Sequence, residues 1–445
     1  MFGFKFLGNT HVPHRKNTAA MQGVRMMPPA EILLPVEQHI GSPATLLVKK
    51  GDEVKVGQKI AEASGPVSSP IYSSVSGSVI GVELYMRPNG SRVDAVRIAS
   101  DGLMTVSESV IPPTVTDLDS FILAVRESGV VGLGGAGFPT AIKLSAFKSG
   151  AVDTVVINGA ECEPYLTSDT RTMLDSGALI RRGIELLERF TSVSSFVFAI
   201  EKNKPECIKA MRQLFADNFK VRVCPLPSLY PQGAEKVAIY NTTKRIVPEG
   251  KLPADVGVIV LNVTTLAKIA EYIDTGMPLV EKCITVDGTA IAYPMNVIAP
   301  IGTPIKDVIA FTGGFKSPAA KIIFGGPLMG VAAESVDEPI AKATNGITAF
   351  AECDSVTPEA TACIHCGRCV RACPLGLNPI VFAGALDIDS KEERMARLDS
   401  YKVNLCMECG SCSFVCPAKR PLVQNNKIGK AELKEYKAHQ RTLEN

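Results

Sequence analysis

Hydrophobic positions change their period several times along the chain, and each change predicts an element. Leu118, Phe121, Ile122 and Val125 fall at helical spacing. In "DTVVINGAECEPYLTSDTR" the apolar run Thr154 to Ile157 reads as a strand that ends in a polar, acidic turn. "VIVLNVTTLAKIAEYIDTG" repeats the arrangement of strand, polar terminus and amphipathic helix. Strands alternating with helices predict an α/β sheet, and such sheets gather ligands at the carboxyl ends of their strands. Upstream, "ILLPVEQHIGSPATLLVKKGDEVKVGQKIAEASGPVSSPIYSSVSGSVIGVE" breaks into short β-rich pieces. Downstream, "KCITVDGTAIAYPMNVIAPIGTPIKDVIAFTGGF" reads as strands, an "IGTP" turn and a short helix. Near the end, "NPIVFAGAL" opens with Asn378 as cap and Pro379 at the first helical position, and "SKEERMARLDSY" carries a Ser390 to Glu393 capping box.

The chain has 445 residues, and at about 150 residues per domain it should hold roughly three domains with cores of their own. Its formal charge of +2, from 47 basic and 45 acidic side chains, leaves no electrostatic footprint for nucleic acid or anionic lipid. The longest apolar run, "VGVIVLNV", falls well short of the roughly 20 residues a membrane helix needs. The start, "MFGFKFLGNTHVPHRK", lacks the apolar core of a secretory signal, so a cytoplasmic chain linked to a membrane only through partners is expected.

Two motifs bring in chemistry. In "GVVGLGGAGFPTAIK", Gly132, Gly134 and Gly137 satisfy G-x-G-x-x-G, but a helix and not a strand enters the loop, so the ordinary dinucleotide fold is not implied. Eight of thirteen cysteines lie in "CIHCGRCVRACP" and "CMECGSCSFVCP", each C-x2-C-x2-C-x3-C-P. In a reducing compartment thiolates at this spacing suit soft metals, and a four-cysteine run closed by proline is the bacterial-ferredoxin signature for 4Fe–4S clusters. By that signature the fourth cysteine crosses over. Cys363, Cys366, Cys369 and Cys416 are expected to hold one cluster, and Cys406, Cys409, Cys412 and Cys373 the other. The single cysteines, Cys353 included, read as small buried residues.

The series GLGGAGFPTAIK, NGAECEP, YPQGAEK and LNVTTLA resembles, in the same order, the flavin- and NADH-binding motifs of the 51 kDa flavoprotein subunit of respiratory complex I. The resemblance implies that the glycine loop shapes a pocket shared by noncovalent FMN and NAD(H). Carried over by position, Gly132, Gly134, Lys143, Asn158, Glu161, Tyr230, Gly233, Asn262 and Thr265 would line FMN, while Gly135, Ala136, Phe138, Glu163 and Glu235 would face NADH. The chain departs from that family at Leu133, Ala160, Ala234 and Leu261, where the family has arginine, aspartate, glutamate and asparagine. No side chain would be catalytic in itself, because the redox chemistry would lie on FMN.

The upstream block resembles the lipoyl and biotinyl carrier barrel, but its hairpin tip, "EASGPVSS", has no lysine to carry a swinging arm. The downstream block resembles a soluble-ligand-binding β-grasp domain. The expected fold is therefore multidomain α/β: an arm over 1–30, a carrier-like barrel-sandwich over 31–105, an FMN- and NADH-binding α/β domain over 115–275, a β-grasp over 276–335 and a helical two-cluster ferredoxin domain over 356–445. This order, with "QHIG", "GDEVKVGQ" and "AECEPYLTSD", resembles the family of C subunits of the Rnf electron-transport complex. That resemblance implies a peripheral NADH-side subunit of a membrane-bound oxidoreductase that couples electron transfer between ferredoxin and NAD to ion pumping. The cobalamin reductases of propanediol-using microcompartments resemble the same parts, with the barrel at the other end. A soluble corrinoid reductase and a non-catalytic iron–sulfur relay are the alternative functions.

Overall fold

The computed structural model of the chain describes residues 8–87 and 90–444. Residues 1–7 of the expected arm, 88–89 of the expected barrel and 445 of the expected cluster domain lie outside the described residues. The barrel-sandwich pairs a four-stranded sheet, in the order Glu31–Pro35, Arg92–Ser100, Gly77–Met86, Glu53–Val54, with a three-stranded one, Thr45–Leu46, Lys59–Glu62, Ile71–Tyr72. Ile32, Leu34, Val54, Ile60, Val79 and Ile98 fill it. The same apolar core continues through Phe121, Val155 and Leu266, so the barrel is packed onto the flavin-type domain.

That domain is built on four parallel strands in the order Val221–Leu226, Ser195–Glu201, Thr154–Asn158, Val258–Asn262. All-parallel strands are covered on both faces and read as continuous apolar runs, which is why "TVVI" and "VIVL" lack alternation. The helix Gly177–Phe190 turns Ile180, Ile184 and Leu187 inward and crosses Val263–Thr275 at Gly183, where a Cβ would stand 2.7 Å from Leu266. The expected helix before the glycine loop is present as Leu118–Glu127, capped by the Asp117 side chain.

The β-grasp differs from expectation at both ends. Its sheet has six strands, in the order Gly23–Arg25, Met295–Pro300, Glu281–Asp287, Gly346–Ala351, Ala319–Phe324, Val331–Ala332. The expected arm thus contributes an edge strand, parallel to Met295–Pro300 with Gly23 opposite Asn296. The sheet also runs past residue 335 to Ala351. Both additions are long-range pairings, made by a three-residue strand with no apolar alternation and by a run that the sequence presents as a linker.

In the last domain Pro379–Ala385, Lys391–Ser400 and Leu422–Glu444 pack around Phe382, Met395, Leu398 and Leu433. Ser390 accepts from the Glu393 amide at 3.3 Å, as its capping box predicts. Asn378 occupies the cap position ahead of Pro379, but its side chain makes no capping bond.

The arm also straps the domains together. Gly8 lies against the backbone of Arg371 and Cys373, and Thr10 and Tyr230 exchange two backbone hydrogen bonds of 2.8 Å. Further on, Asn17 donates to Asp287 and Arg171 donates to the Ala19 carbonyl.

Candidate functional site

The parallel register sets Asn158 beside Asn262, so two strand ends open at one place. Asn262 caps the helix that follows it, accepting from the Thr264 and Thr265 amides at 3.0 and 3.1 Å. Asn158 donates to the Gly233 carbonyl at 2.8 Å and so joins the first strand end to the "YPQG" loop. The glycine loop lies across both. The Leu133 amide donates to Thr265 Oγ1 at 3.0 Å, the loop closes on itself from the Gly132 amide to the Phe138 carbonyl at 2.8 Å, and Gly134 passes so near Asn262 that a Cβ would stand 3.1 Å from its Nδ2. Gly134, Gly135 and Ala136 form an exposed crown, where main chain is accessible to a ligand.

Buried ammonium groups hold this loop from below. Lys342 donates to Ser69 Oγ at 3.1 Å, the Pro70 carbonyl at 2.6 Å and the Gly129 carbonyl at 2.8 Å. Lys282 donates to the carbonyls of Leu133 and Lys342 at 2.7 and 3.2 Å. Lys342 thus spends its three N–H donors on two carbonyls and a hydroxyl, which is how an ammonium is satisfied without water. The Asp169 carboxylate lies beneath the same strand end, accepting from Asn262 Nδ2 and Thr264 Oγ1, each at 2.7 Å. Burial pushes Asp169 up to about 6 and Lys282 down to about 7. The barrel reaches the loop as well: the Ile40 amide donates to the Gly137 carbonyl at 3.0 Å, and the hairpin tip over 63–70 sends Ser69 Oγ to the Gly129 carbonyl at 3.2 Å.

The acidic turn is pinned in the same way. Lys16, from the arm, donates to the carbonyls of Glu161, Glu163 and Leu166 at 2.7, 2.8 and 2.6 Å, and Lys204 reaches the Ala160 carbonyl at 2.6 Å. Within the turn Glu161 and Tyr165 adopt left-handed backbone, at φ 45° and 70°, a cost of order 1 kcal/mol or more each that the surroundings must sustain. The Glu161 carboxylate caps Ser168–Asp175, accepting from the Asp169 amide at 2.7 Å and Thr170 Oγ1 at 2.6 Å. The Glu163 carboxylate accepts from the Leu328 and Met329 amides at 3.1 and 2.8 Å, and burial raises its pKa. Lys143 is paired with Glu235 at 2.6 Å, both partly exposed, and donates to the Val260 carbonyl at 3.2 Å. Tyr230 is fully buried, with its hydroxyl 2.7 Å from the Cys409 carbonyl and 3.3 Å from Glu163 Oε1.

The eight cysteines of the two runs divide between two cavities. Cys363, Cys366, Cys369 and Cys416 line one of about 210 Å³, together with Ile380, Ala383 and Leu422. Cys373, Cys406, Cys409 and Cys412 line a tighter one of about 20 Å³ with Gly410 and Asn426. The fourth cysteine of each run therefore stands with the first three of the other. A four-thiolate set around an apolar cavity fits a polynuclear iron–sulfur cluster in both donor chemistry and surroundings. Cys353, expected to be buried, is exposed and lines neither cavity.

Lys16, Lys204, Lys282, Lys342 and Asp169 have no motif to announce them. The one available signal is Lys282, a charged residue inside the apolar strand "EKCITVD".

Family models match the chain in the order of its domains: an RnfC barrel sandwich hybrid domain over 4–103, a Nuo51 FMN-binding domain over 125–271, an SLBB domain over 283–332 and a 4Fe-4S dicluster domain over 362–419. The C subunit of the Na(+)-translocating ferredoxin:NAD(+) oxidoreductase complex of Acetobacterium woodii is 41% identical over 432 residues, 96% of this chain and 97% of its own length. The chain belongs to the RnfC family, the C subunits of ion-translocating ferredoxin:NAD(+) oxidoreductase complexes. The C subunit of the proton-translocating complex of Clostridium ljungdahlii is also 41% identical, covering 87% of this chain and 86% of its own length. The C subunit of the ion-translocating oxidoreductase complex of Rhodobacter capsulatus is 36% identical, covering 97% and 84%. In fold alone, the chain is similar to an NAD+-reducing NiFe-hydrogenase in its air-oxidized state, with TM-score 0.51 and 16% identity, over 71% of this chain and 63% of that one. An FMN-binding domain and a dicluster domain in one chain make this member of the RnfC family an electron-transfer protein.

Proposed function

We propose that this chain is the NAD(H)-side subunit of a membrane-bound complex, lying peripherally on the cytoplasmic face and passing electrons between NAD(H) and partner subunits, with ferredoxin as the remote donor. FMN, when bound, exchanges the paired electrons of a hydride for the single electrons that 4Fe–4S clusters carry. The chain's own residues do the placing. The exposed crown over 134–136 lets main chain approach a ligand closely, Phe138 offers an aromatic face, and Lys143 offers a point charge to a phosphate. Lys282 and Lys342 keep the crown in one shape before anything binds, which lowers the ordering cost of binding. The observation that carries the reading is the contact between Tyr230 and Cys409, which joins the flavin-type domain directly to a cluster-type loop.

Among the described residues no helix is long and apolar enough to cross a membrane. Relatives named for sodium ions and for protons share the same 41% identity with this chain, which supports an ion path carried by partner subunits. The test is an anaerobic preparation of the full chain, assayed for iron, sulfide and released flavin and titrated with NADH. About eight irons, flavin and NADH-dependent reduction of an artificial acceptor are expected. Zinc in place of iron would overturn the cluster assignment. Full iron without flavin or any response to NADH would leave an electron relay, and NADH-driven corrinoid reduction by the isolated chain would make it a cobalamin reductase.

A further inference from the structure

Tyr230 joins two domains by contact, yet its surroundings are more specific than packing requires. Its ring lies in a closed apolar cluster with Val12 and Cys409, flanked by Cys162, Leu328 and Met407. A phenol hydroxyl has one proton to give. Here two oxygens stand within reach, the Cys409 carbonyl at 2.7 Å and Glu163 Oε1 at 3.3 Å. Glu163 in turn holds the turn over 326–330 through the Leu328 and Met329 amides. That turn leans on the cysteine loop, since a Cβ on Gly410 would stand 2.8 Å from the Leu328 carbonyl oxygen, and Gly410 itself is left-handed at φ 77°. The peptide between Cys409 and Gly410 is thus gripped from two sides by groups that Tyr230 and Glu163 control.

A trans peptide points its C=O and N–H in opposite directions. With the Cys409 carbonyl fixed on Tyr230, the Gly410 N–H is turned to the other side of the peptide, and Gly410 lines the second cysteine cavity. Amide N–H groups aimed at cluster sulfurs raise the reduction potential by stabilising the added electron. We propose that Tyr230, backed by Glu163, is the positioning residue through which the flavin-type domain sets the reduction potential of the cluster held by Cys406, Cys409, Cys412 and Cys373. The inference rests on the reading that this quartet carries a 4Fe–4S cluster.

The experiment is a potentiometric titration of the anaerobic full chain, followed by electron paramagnetic resonance, on wild type, Tyr230→Phe and Glu163→Gln. Tyr230→Phe keeps the ring and removes only the hydroxyl. In that variant the ratio of reduced to oxidised second cluster at a fixed potential should fall about tenfold, or 59 mV for a one-electron couple. The cluster of Cys363, Cys366, Cys369 and Cys416 serves as the internal reference and should not move. Glu163→Gln should shift the second cluster in the same direction by less. If Tyr230→Phe does not assemble, Glu163→Gln alone decides: a selective shift supports the assignment, and an unmoved second cluster overturns it. Equal shifts in both clusters, or loss of flavin affinity with unchanged potentials, also overturn it. A wild-type chain without iron would instead refute the cluster reading, so the two failures are distinguishable.

Discussion

The cysteine cavities and the glycine loop are held in opposite ways. Around the first cavity the supporting side chains are mainly apolar, Ile380, Ala383 and Leu422, and the thiolates are the chemistry. Around the glycine loop the support is ionic and buried: Lys342 spans barrel, hairpin tip and loop, while Lys282 reaches in from the β-grasp. Metal–thiolate bonds are strong enough to organise the loops that carry them. A noncovalent flavin would have no such bond to give, so a loop that receives one gains from being shaped in advance by groups whose burial would otherwise be costly. The two quartets differ from one another as well. Cys366 and the neighbouring Ile364 are exposed, whereas in the second quartet Cys409 is buried against Tyr230, Leu328 and Met407.

The sharpest break of this comparison is at a crossing thiolate. Cys416→Ser should remove about four of about eight irons and the first cluster's spectrum, and leave the second cluster intact. Loss of the second cluster instead would mean that each run binds its own iron. Next in size is Lys342→Met, which keeps the aliphatic stem and takes the ammonium from three oxygens; Ser69 Oγ and the Gly129 carbonyl still have each other at 3.2 Å, while the Pro70 carbonyl loses its donor. A loss of about 3 kcal/mol in chemical unfolding, with a lowered flavin affinity and unchanged iron content, is expected for a stranded buried acceptor. Iron lost in step with flavin would show that the two regions are not separately held.

A third test uses acid. His39 sits where the barrel meets the glycine loop, its Nε2 accepting from the Ser69 amide at 3.1 Å, and burial pushes its pKa down to about 4 from 6.5. A histidine kept neutral in the folded state contributes stability that is whole above its unfolded pKa and is lost as pH falls towards the folded one. Between pH 6.5 and 4 this should remove about 3 kcal/mol, and His39→Gln should flatten that part of the pH profile. An equally steep profile in the variant would assign the acid sensitivity elsewhere.

These contrasts explain what was legible in the sequence. The spacing of two twelve-residue cysteine runs announces both quartets, and the structure sets the fourth cysteine of each run in the cavity lined by the first three of the other. The α/β strands were legible because a parallel sheet writes itself as continuous apolar runs. The arm's edge strand Gly23–Arg25 was not, because three residues paired to a strand some 270 positions away leave no local period. Lys16 and Lys342 look like any surface lysine until their carbonyl partners are known, and Lys282 is marked only by its place in an apolar strand. "YPQGAEK" singles out Tyr230 in the sequence, but not its hydroxyl partner, Cys409, which lies 179 residues further along the chain.

The smallest expected effect separates ligand binding from folding within the flavin region itself. Lys143 is partly exposed, as is its partner Glu235. A pair of that kind contributes about 0 to 1 kcal/mol to stability, because water screens it and both side chains lose freedom to form it. Lys143→Ala should therefore leave the unfolding midpoint nearly unchanged. Towards a phosphate the same ammonium acts as a charge-assisted donor, and its loss should weaken FMN by about 1 to 3 kcal/mol. Glu235 competes for that ammonium, held at 2.6 Å, so Glu235→Gln should free Lys143 and leave FMN at least as tightly bound while altering the dependence on NADH. Fluorescence of released flavin against concentration, beside a urea titration of each variant, reads both quantities. If Lys143→Ala lowered stability as much as Lys342→Met and left FMN affinity unchanged, Lys143 would belong with the buried lysines that shape the loop and not with the groups that meet the ligand.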